Sequence, residues 1–453
     1  MKKMDVRALC EKLKRAGVVG AGGAGFPTYA KIGEGMDTVI LNCAECEPLL
    51  KPHRQLLQKH AGVVLKGLDL LRESVGASRA IVALKPSYTA AAEAARAELD
   101  LYPCLTLSYL PEIYPAGDEI VLIQETTGRT VGPGQLPRSV GVCVFNVETA
   151  YNAARAAENI PVTHKYVTIA GEVKMPCTLR LPLGMSLGDA VALAGGAARE
   201  DAVYISGGPM TGRLASPYDV VTKTTNAVLL MPPEHTIVSK RRIRSSVSVK
   251  RAMGACCQCR MCTDLCPRHL LGHPIEPHAF MRAVKDGHAA DIAAVRNAAF
   301  CCGCGVCEMY ACPQGLNPRS LIAACKDELR KNGVRPPQAE GTGVLETRDY
   351  ARLPMSRLLA RLDLVRYDVP APLDEREIVP KRVKLPLRQH IGAPAVAVVA
   401  VGEQVERGQC IAAAGDDQLG ADIHTPVGGT VTQATDTYII IETKQEGGTG
   451  ANA

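Results

Sequence analysis

Residues 256–267 read CCQCRMCTDLCP, in which Cys256, Cys259, Cys262 and Cys266, followed by Pro267, give the spacing C-x2-C-x2-C-x3-C-P. The spacing has a physical reason. Thiolates three residues apart on a short loop wrap one side of an iron–sulfur cubane, and the fourth leaves on the next turn, which the proline ends. In two-cluster proteins that fourth thiolate ligates the other cluster. A second run, CCGCGVCEMYACP, places Cys301, Cys304, Cys307 and Cys312 before Pro313, with a last gap of four residues instead of three. The longer gap leaves the orientation of Cys312 open. Two runs in sequence predict cross-ligation, with Cys256, Cys259, Cys262 and Cys312 around one [4Fe–4S] cluster and Cys301, Cys304, Cys307 and Cys266 around the other. Cys257 and Cys302 are left over as neighbours. Paired zinc sites are the competing reading, but zinc has no use for a third cysteine and a Cys-Pro in each run. Eight thiolates leave no open iron, so the clusters are expected to conduct single electrons. The rest of the chain has to supply a donor or an acceptor.

Ten of the 18 cysteines lie between Cys256 and Cys312, and the others are scattered. A disulfide framework belongs to small secreted domains, and the N-terminus here is charged throughout without an apolar signal core, so a cytoplasmic protein is expected. The chain has 453 residues, 47% of them apolar and 22% charged, which excludes wholesale disorder and predicts several domains. Its apolar runs are too short for a membrane-spanning helix. A net charge of +6 with thirteen Tyr, four Phe and no Trp makes nucleic acid a poor partner.

Upstream, an amphipathic helix (Val6, Leu9, Cys10, Leu13) precedes the loop Gly20-Ala-Gly-Gly-Ala-Gly25-Phe-Pro-Thr28. Gly20, Gly22 and Gly25 give G-x-G-x-x-G, but a helix stands before it and Pro27 after it, so the ordinary dinucleotide fingerprint fails its context test. The loop still offers backbone N–H groups to a phosphate or a flat ring. Strands are expected at 38–41, 80–84, 105–110 and 141–145, with helices at 90–99, 118–126 and 147–159, the alternation of a parallel sheet covered on both faces. Three polar clusters stand beyond strand ends or at a helix start: Asn42-Cys-Ala-Glu45-Cys-Glu47-Pro, Tyr114-Pro-Ala-Gly117-Asp118-Glu119 and Asn146-Val-Glu-Thr149. Ligands bind at such ends, and with the glycine loop these clusters suggest one crevice.

These four motifs, in this order, resemble the FMN- and NADH-binding subunit of respiratory complex I and, more closely, the C subunit of Rnf electron-transport complexes. The resemblance implies flavin contacts at Gly20, Gly22, Lys31, Asn42, Glu45, Tyr114, Gly117, Asn146 and Thr149, with Gly23 and Gly25 in the same cofactor loop. It implies nicotinamide-side, catalytic carboxylates at Glu45 and Glu119. Ala44 departs from the complex I protein, which has an aspartate there. The roles make chemical sense: loop amides and Lys31 hold a phosphate, Asn side chains read the ring edge, and a carboxylate accepts ribose hydroxyls. FMN converts the two electrons of NADH into single ones.

Residues 165–215 resemble the soluble-ligand-binding β-grasp domain of the same families. A basic stretch from Lys240 to Arg251 precedes the first cysteine run, suited to an acidic partner. Residues 382–431 resemble a barrel-sandwich hybrid in which His424-Thr-Pro-Val-Gly-Gly stands where a carrier lysine would sit. The C-terminal position of this module and the chain length resemble the cobalamin reductases of propanediol-utilisation microcompartments.

The resemblances together imply an α/β multidomain protein. Its parts are a Rossmann-like flavin domain with a parallel sheet (1–160), a β-grasp domain (161–235), a helical ferredoxin-like domain with two [4Fe–4S] clusters (236–335), a linker (336–378) and a barrel-sandwich hybrid without carrier lysine (379–445). They imply an NADH-dependent oxidoreductase passing electrons through FMN and the clusters to cobalamin. A corrinoid adenosyltransferase and a microcompartment shell protein are the partners so implied. An NADH dehydrogenase serving a ferredoxin or membrane partner, and a non-catalytic conduit docked on a shell protein, are the alternatives. His269, His273 and His278 are weighed as corrinoid neighbours but read better as loop residues.

Overall fold

In the computed structural model, which describes residues 5–23, 25–285 and 291–444, the run Thr38–Asn42 forms β1, apolar on both faces as a covered parallel strand must be. Strands β2 (Arg79–Leu84), β3 (Leu105–Tyr109) and β5 (Val142–Asn146) join it, while the short β4 (Ile113–Tyr114) lies outside this sheet. The order is β3-β2-β1-β5, all parallel. Helix α1 (Val6–Arg15) is capped by Asp5, whose side chain accepts the Ala8 N–H, and it buries Leu9 and Leu13. With α2 (Pro52–Lys59), α3 (Ala61–Ser74), α4 (Thr89–Leu99) and α6 (Val147–Ala157) it shares one core with Val39, Leu41, Val82 and Phe145. On the opposite face, Ile40, Ala83, Val142 and Val144 pack on Ile120–Ile123 of α5 (Glu119–Thr127). Helices α3 and α6 touch backbone to side: a Cβ at Gly67 would collide with the Ala150 carbonyl.

The chain winds outward from β1 to β3 and then returns to place β5 on the other flank of β1. That reversal opens a crevice beyond the carboxyl ends of β1 and β5, where ligands bind in such sheets. Asn42 and Asn146, register partners at those two ends, stand at its floor.

Strands β6 (His164–Gly171), β7 (Cys177–Pro182), β8 (Val203–Ser206), β9 (Arg213–Ala215) and β10 (Ala227–Met231) form a mixed sheet with helix α7 (Leu187–Leu193). Then come short helices: α8 (Thr236–Arg242), α9 (Ser245–Ala255), α10 (Met261–Asp264), α11 (Pro267–Leu270), α12 (Pro277–Lys285), α13 (Ile292–Asn297) and α14 (Pro318–Lys331). Several of them close over Ala252, Phe280, Met281, Leu321 and Ile322. The segment 336–378 carries β11 (Leu353–Pro354), paired with β4, then α15 (Met355–Arg361) and β12 (Leu373–Asp374), which adds to β7.

Strands β13 (Arg382–Pro386), β14 (Val396–Ala397), β15 (Gln404–Val405), β16 (Cys410–Ala413), β17 (Ile423–His424), β18 (Gly429–Ala434) and β19 (Tyr438–Thr443) make two sheets, β13-β19-β18-β15 and β14-β16-β17. Val383, Ile411, Ile423, Val431 and Ile441 are among their core residues. This sandwich sits against the N-terminal domain: the Ile391 N–H donates to the Gly25 carbonyl (3.1 Å) and Lys14 Nζ donates to the carbonyls of Gly415 (3.0 Å) and Asp416 (3.1 Å).

Candidate flavin cavity and the paired cysteine quartets

A cavity of about 510 Å³ opens at the strand reversal. Gly22, Gly23, Asn42, Glu45, Cys46, Glu47, His53, Gly117 and Asn146 form its N-terminal wall; Ser206–Gly208, Thr211–Arg213 and Thr222–Asn226 supply others from the β-grasp sheet. Asn42 is fixed by two bonds, donating to the Gly117 carbonyl (2.9 Å) and accepting the Ala44 N–H (3.1 Å). The Gly117 N–H donates to Cys46 Sγ (2.8 Å), and a Cβ there would lie 2.9 Å from that sulfur. A Cβ at Gly22 would collide with the Asn146 amide, so both positions admit only glycine without rearrangement.

Glu45 is buried. Its Oε1 accepts the His53 N–H (2.8 Å), while Oε2 faces Arg54 at 3.6 Å without a hydrogen bond. Burial pushes its carboxyl up, opposed chiefly by Arg54. Glu47 serves as a latch: it accepts the N–H groups of Met210 (2.7 Å) and Thr211 (2.8 Å) and the Thr211 hydroxyl, and a Cβ at Gly208 would collide with it. The β-grasp loop 206–213 is thereby drawn onto the N-terminal domain, with Arg241 donating to its Pro209 (2.7 Å) and Gly212 (2.8 Å) carbonyls from the other side.

The remaining expected residues surround this wall. Thr149 accepts the Ala21 N–H (3.0 Å) and so holds the glycine loop. Gly20 donates to the Phe26 carbonyl (2.8 Å), and Gly25, at φ +74°, abuts His390 of the sandwich. Lys31 Nζ reaches Glu119 Oε1 (3.3 Å) and the Val144 carbonyl (3.2 Å), so the expected phosphate cation and the expected nicotinamide-side acid are paired with each other. Tyr114 is buried, and its hydroxyl donates to the Cys304 carbonyl (2.5 Å). Asp118 caps α5 and also binds Arg268 (2.9 Å), one turn from Cys266. The Tyr114–Glu119 motif thus links the cavity rim to the second cysteine run.

The thiols gather as two quartets. Cys256, Cys259, Cys262 and Cys312 line one small cavity, joined by Cys257; Cys266, Cys301, Cys304 and Cys307 line another, joined by Cys302. The extra residue before Cys312 is absorbed by a π-helical turn over Cys307–Ala311, one residue wider than an α-turn, so Cys312 still reaches the first quartet. Among the described residues no three ligating side chains close on a point as a single ion needs; each quartet surrounds a space instead, as a polynuclear centre requires. Burial and neighbouring thiols push Cys262 and Cys266 up to about 12, a protonation that only bound cations relieve. The quartet with Cys304 abuts the N-terminal domain, whereas Cys259 of the other is exposed. Buried His273 donates to or accepts from neither quartet and meets the Val131 carbonyl (2.9 Å); His278 meets Thr263 (2.8 Å).

Sequence reasoning missed His53 and the β-grasp wall, and gave Glu47 no role. Glu47 stands inside a quoted motif and could have been weighed with Glu45. His53 lies in PHRQLL, where nothing local marks it.

Residues 13–155 match the family pattern described as the Nuo51 FMN-binding domain, 166–214 the SLBB domain, 255–317 the 4Fe-4S dicluster domain, and 372–447 the RnfC barrel sandwich hybrid domain. The chain is 43% identical over 439 residues to the cobalamin reductase PduS of Salmonella typhimurium, covering 95% of each. It is 42% identical over 443 residues to that of Citrobacter freundii, covering 96% of this chain and 97% of that one. The RnfC-type component of the Na(+)-translocating ferredoxin:NAD(+) oxidoreductase complex of Acetobacterium woodii is 33% identical over 277 residues, 60% of each chain.

Proposed function

Because the chain belongs to the cobalamin reductase family, we propose that it draws electrons from NADH, through FMN and two [4Fe–4S] clusters, to reduce cob(III)alamin to cob(II)alamin and cob(I)alamin. The observation that carries the reading is the contiguity of its parts: cavity, Tyr114, the Cys304 quartet, then the exposed Cys259 quartet. FMN, when bound, takes the electron pair of a hydride and releases it singly, and the cubanes carry single electrons.

The side chains do the rest. Gly22 and Gly23 let a flat ring approach, Asn42 and Asn146 present amide edges to it, and the unpaired Glu45 Oε2 is placed to accept a ribose hydroxyl. Glu119, at the start of α5 beside Lys31, stands for the nicotinamide side. The eight thiolates named above hold the clusters. At the finer level, reduced corrinoid passes to an adenosyltransferase, and the protein docks on a shell protein in the cytoplasm's microcompartments. What supports this is the full-length relationship to the cobalamin reductases. Among the described residues no helix is long and apolar enough to cross a membrane.

The test is anaerobic: FMN-loaded, cluster-reconstituted protein is mixed with NADH and excess hydroxocobalamin, and the visible spectrum is followed. Bleaching of the flavin with catalytic appearance of cob(II)alamin, two per NADH, supports the reading. Bleaching without corrinoid reduction assigns another acceptor, and no bleaching leaves only a conduit.

A further inference from the structure

The cavity contains a polar group whose partner is not in the protein. Asn146 caps α6, its Oδ1 accepting the Glu148 N–H (3.1 Å). That bond fixes which way the amide faces, so its Nδ2 is the atom lying 3.1 Å from His53 Nδ1. An amide nitrogen has no lone pair to offer, so Nδ1 accepts and the ring proton sits on Nε2. His53 is 6% exposed, lines the cavity, and its Nε2 has no hydrogen-bond partner. Its backbone N–H holds Glu45 Oε1, whose companion Oε2 is the cavity's other buried polar atom without a hydrogen bond. A buried donor and a buried acceptor on one wall are each costly to leave unmet.

We propose that His53 Nε2–H is a ligand donor, and that with Glu45 it recognises a heteroaromatic ring bearing a conjugated carbonyl beside an N–H. This inference rests on the flavin-and-nicotinamide reading above and deepens it. Two groups share that chemistry: the pyrimidine edge of the flavin and the carboxamide of the nicotinamide. Burial, with Lys165 nearby, pushes the imidazole down to about 3, which keeps it neutral. His53 is a positioning residue by this account, since a neutral donor fixed by Asn146 aligns the ring without exchanging protons.

The experiment uses the full chain as wild type, His53→Ala and His53→Gln. Flavin-free protein is titrated with FMN by fluorescence quenching, and FMN-loaded protein is titrated with NAD+ by difference spectrum. Iron content and circular dichroism are recorded for each. Roughly tenfold weaker binding of FMN in the alanine variant, partly restored by glutamine, assigns the donor to the flavin. The same loss in the NAD+ arm alone assigns it to the carboxamide. Unchanged binding in both arms overturns the proposal, as does a joint loss of iron and circular dichroism in both variants, which makes His53 a packing residue. Wild-type protein that takes up no FMN overturns the underlying reading itself, a distinguishable result.

Discussion

At the scale of single residues, covalent spacing and non-local contact behave differently. The eight thiols were legible because a cubane needs its ligands at short, regular intervals, and three of each four are local. Cys302 sets the sharpest test of that register, since it lines the same cavity as Cys301, Cys304 and Cys307. Cys257→Ser and Cys302→Ser should each retain the full iron content of two clusters; loss of about half the iron in either variant would shift the ligand assignment by one residue. Glu119→Gln should slow flavin reduction by NADH about tenfold in stopped flow, the range for removing a charge from one hydrogen-bonded contact, with iron content unchanged. Equal loss of iron would make Glu119 structural. His53 was illegible for a plain reason: its role depends on Asn146, 93 positions away, and on the cap that orients that amide.

Elements with a continuous apolar run declared themselves: β1, β2, β3 and β5 lie within a residue or so of their expected positions, because a strand covered on both faces has no polar positions to confuse the pattern. Helices α2 and α3 were not anticipated, and neither opens on a side-chain cap. The order of the sheet was also out of reach, since local pattern does not say on which flank of β1 the last strand adds. Packing at the α3–α6 contact yields a firm expectation. In a solvent-exposed helix Gly→Ala gains about 1 kcal/mol. At Gly67 the new methyl meets the backbone oxygen of Ala150, which cannot swing aside as a side chain would. Gly67→Ala should therefore destabilise by about 2 kcal/mol, read as a fall in the thermal midpoint of the FMN-domain transition. A rise would show that the helices separate at little cost.

The whole molecule is held at a junction of three domains. Lys223 of the β-grasp segment is fully buried and donates to the carbonyls of Gly17 in the N-terminal domain (2.8 Å) and Asp422 in the sandwich (2.7 Å). Burial pushes its amine from 10.5 down to about 7. The unfolded chain keeps that proton to higher pH, so from about pH 7 toward 10 the unfolded state binds more protons and stability rises with pH. Below pH 7 both states are protonated and the contribution is flat. Lys223→Met should remove this slope and cost about 1–3 kcal/mol for the unpaired carbonyls. Denaturation midpoints at pH 7 and 9 for both proteins measure it, and parallel slopes would take Lys223 out of the account. The segment 336–378, expected to join domains, also pairs with β4 and extends the β-grasp sheet, contacts no local pattern announces.

The hydrogen bond from Ile391 to Gly25 carries a consequence for biosynthesis. The glycine loop is among the first residues to leave the ribosome, and the module that clamps it is among the last. At roughly 5–20 residues per second the nascent loop waits on the order of tens of seconds for that clamp. Cofactor loading is then expected to be completed after release of the chain, and premature termination before the sandwich should yield polypeptides that hold iron yet fail to retain flavin.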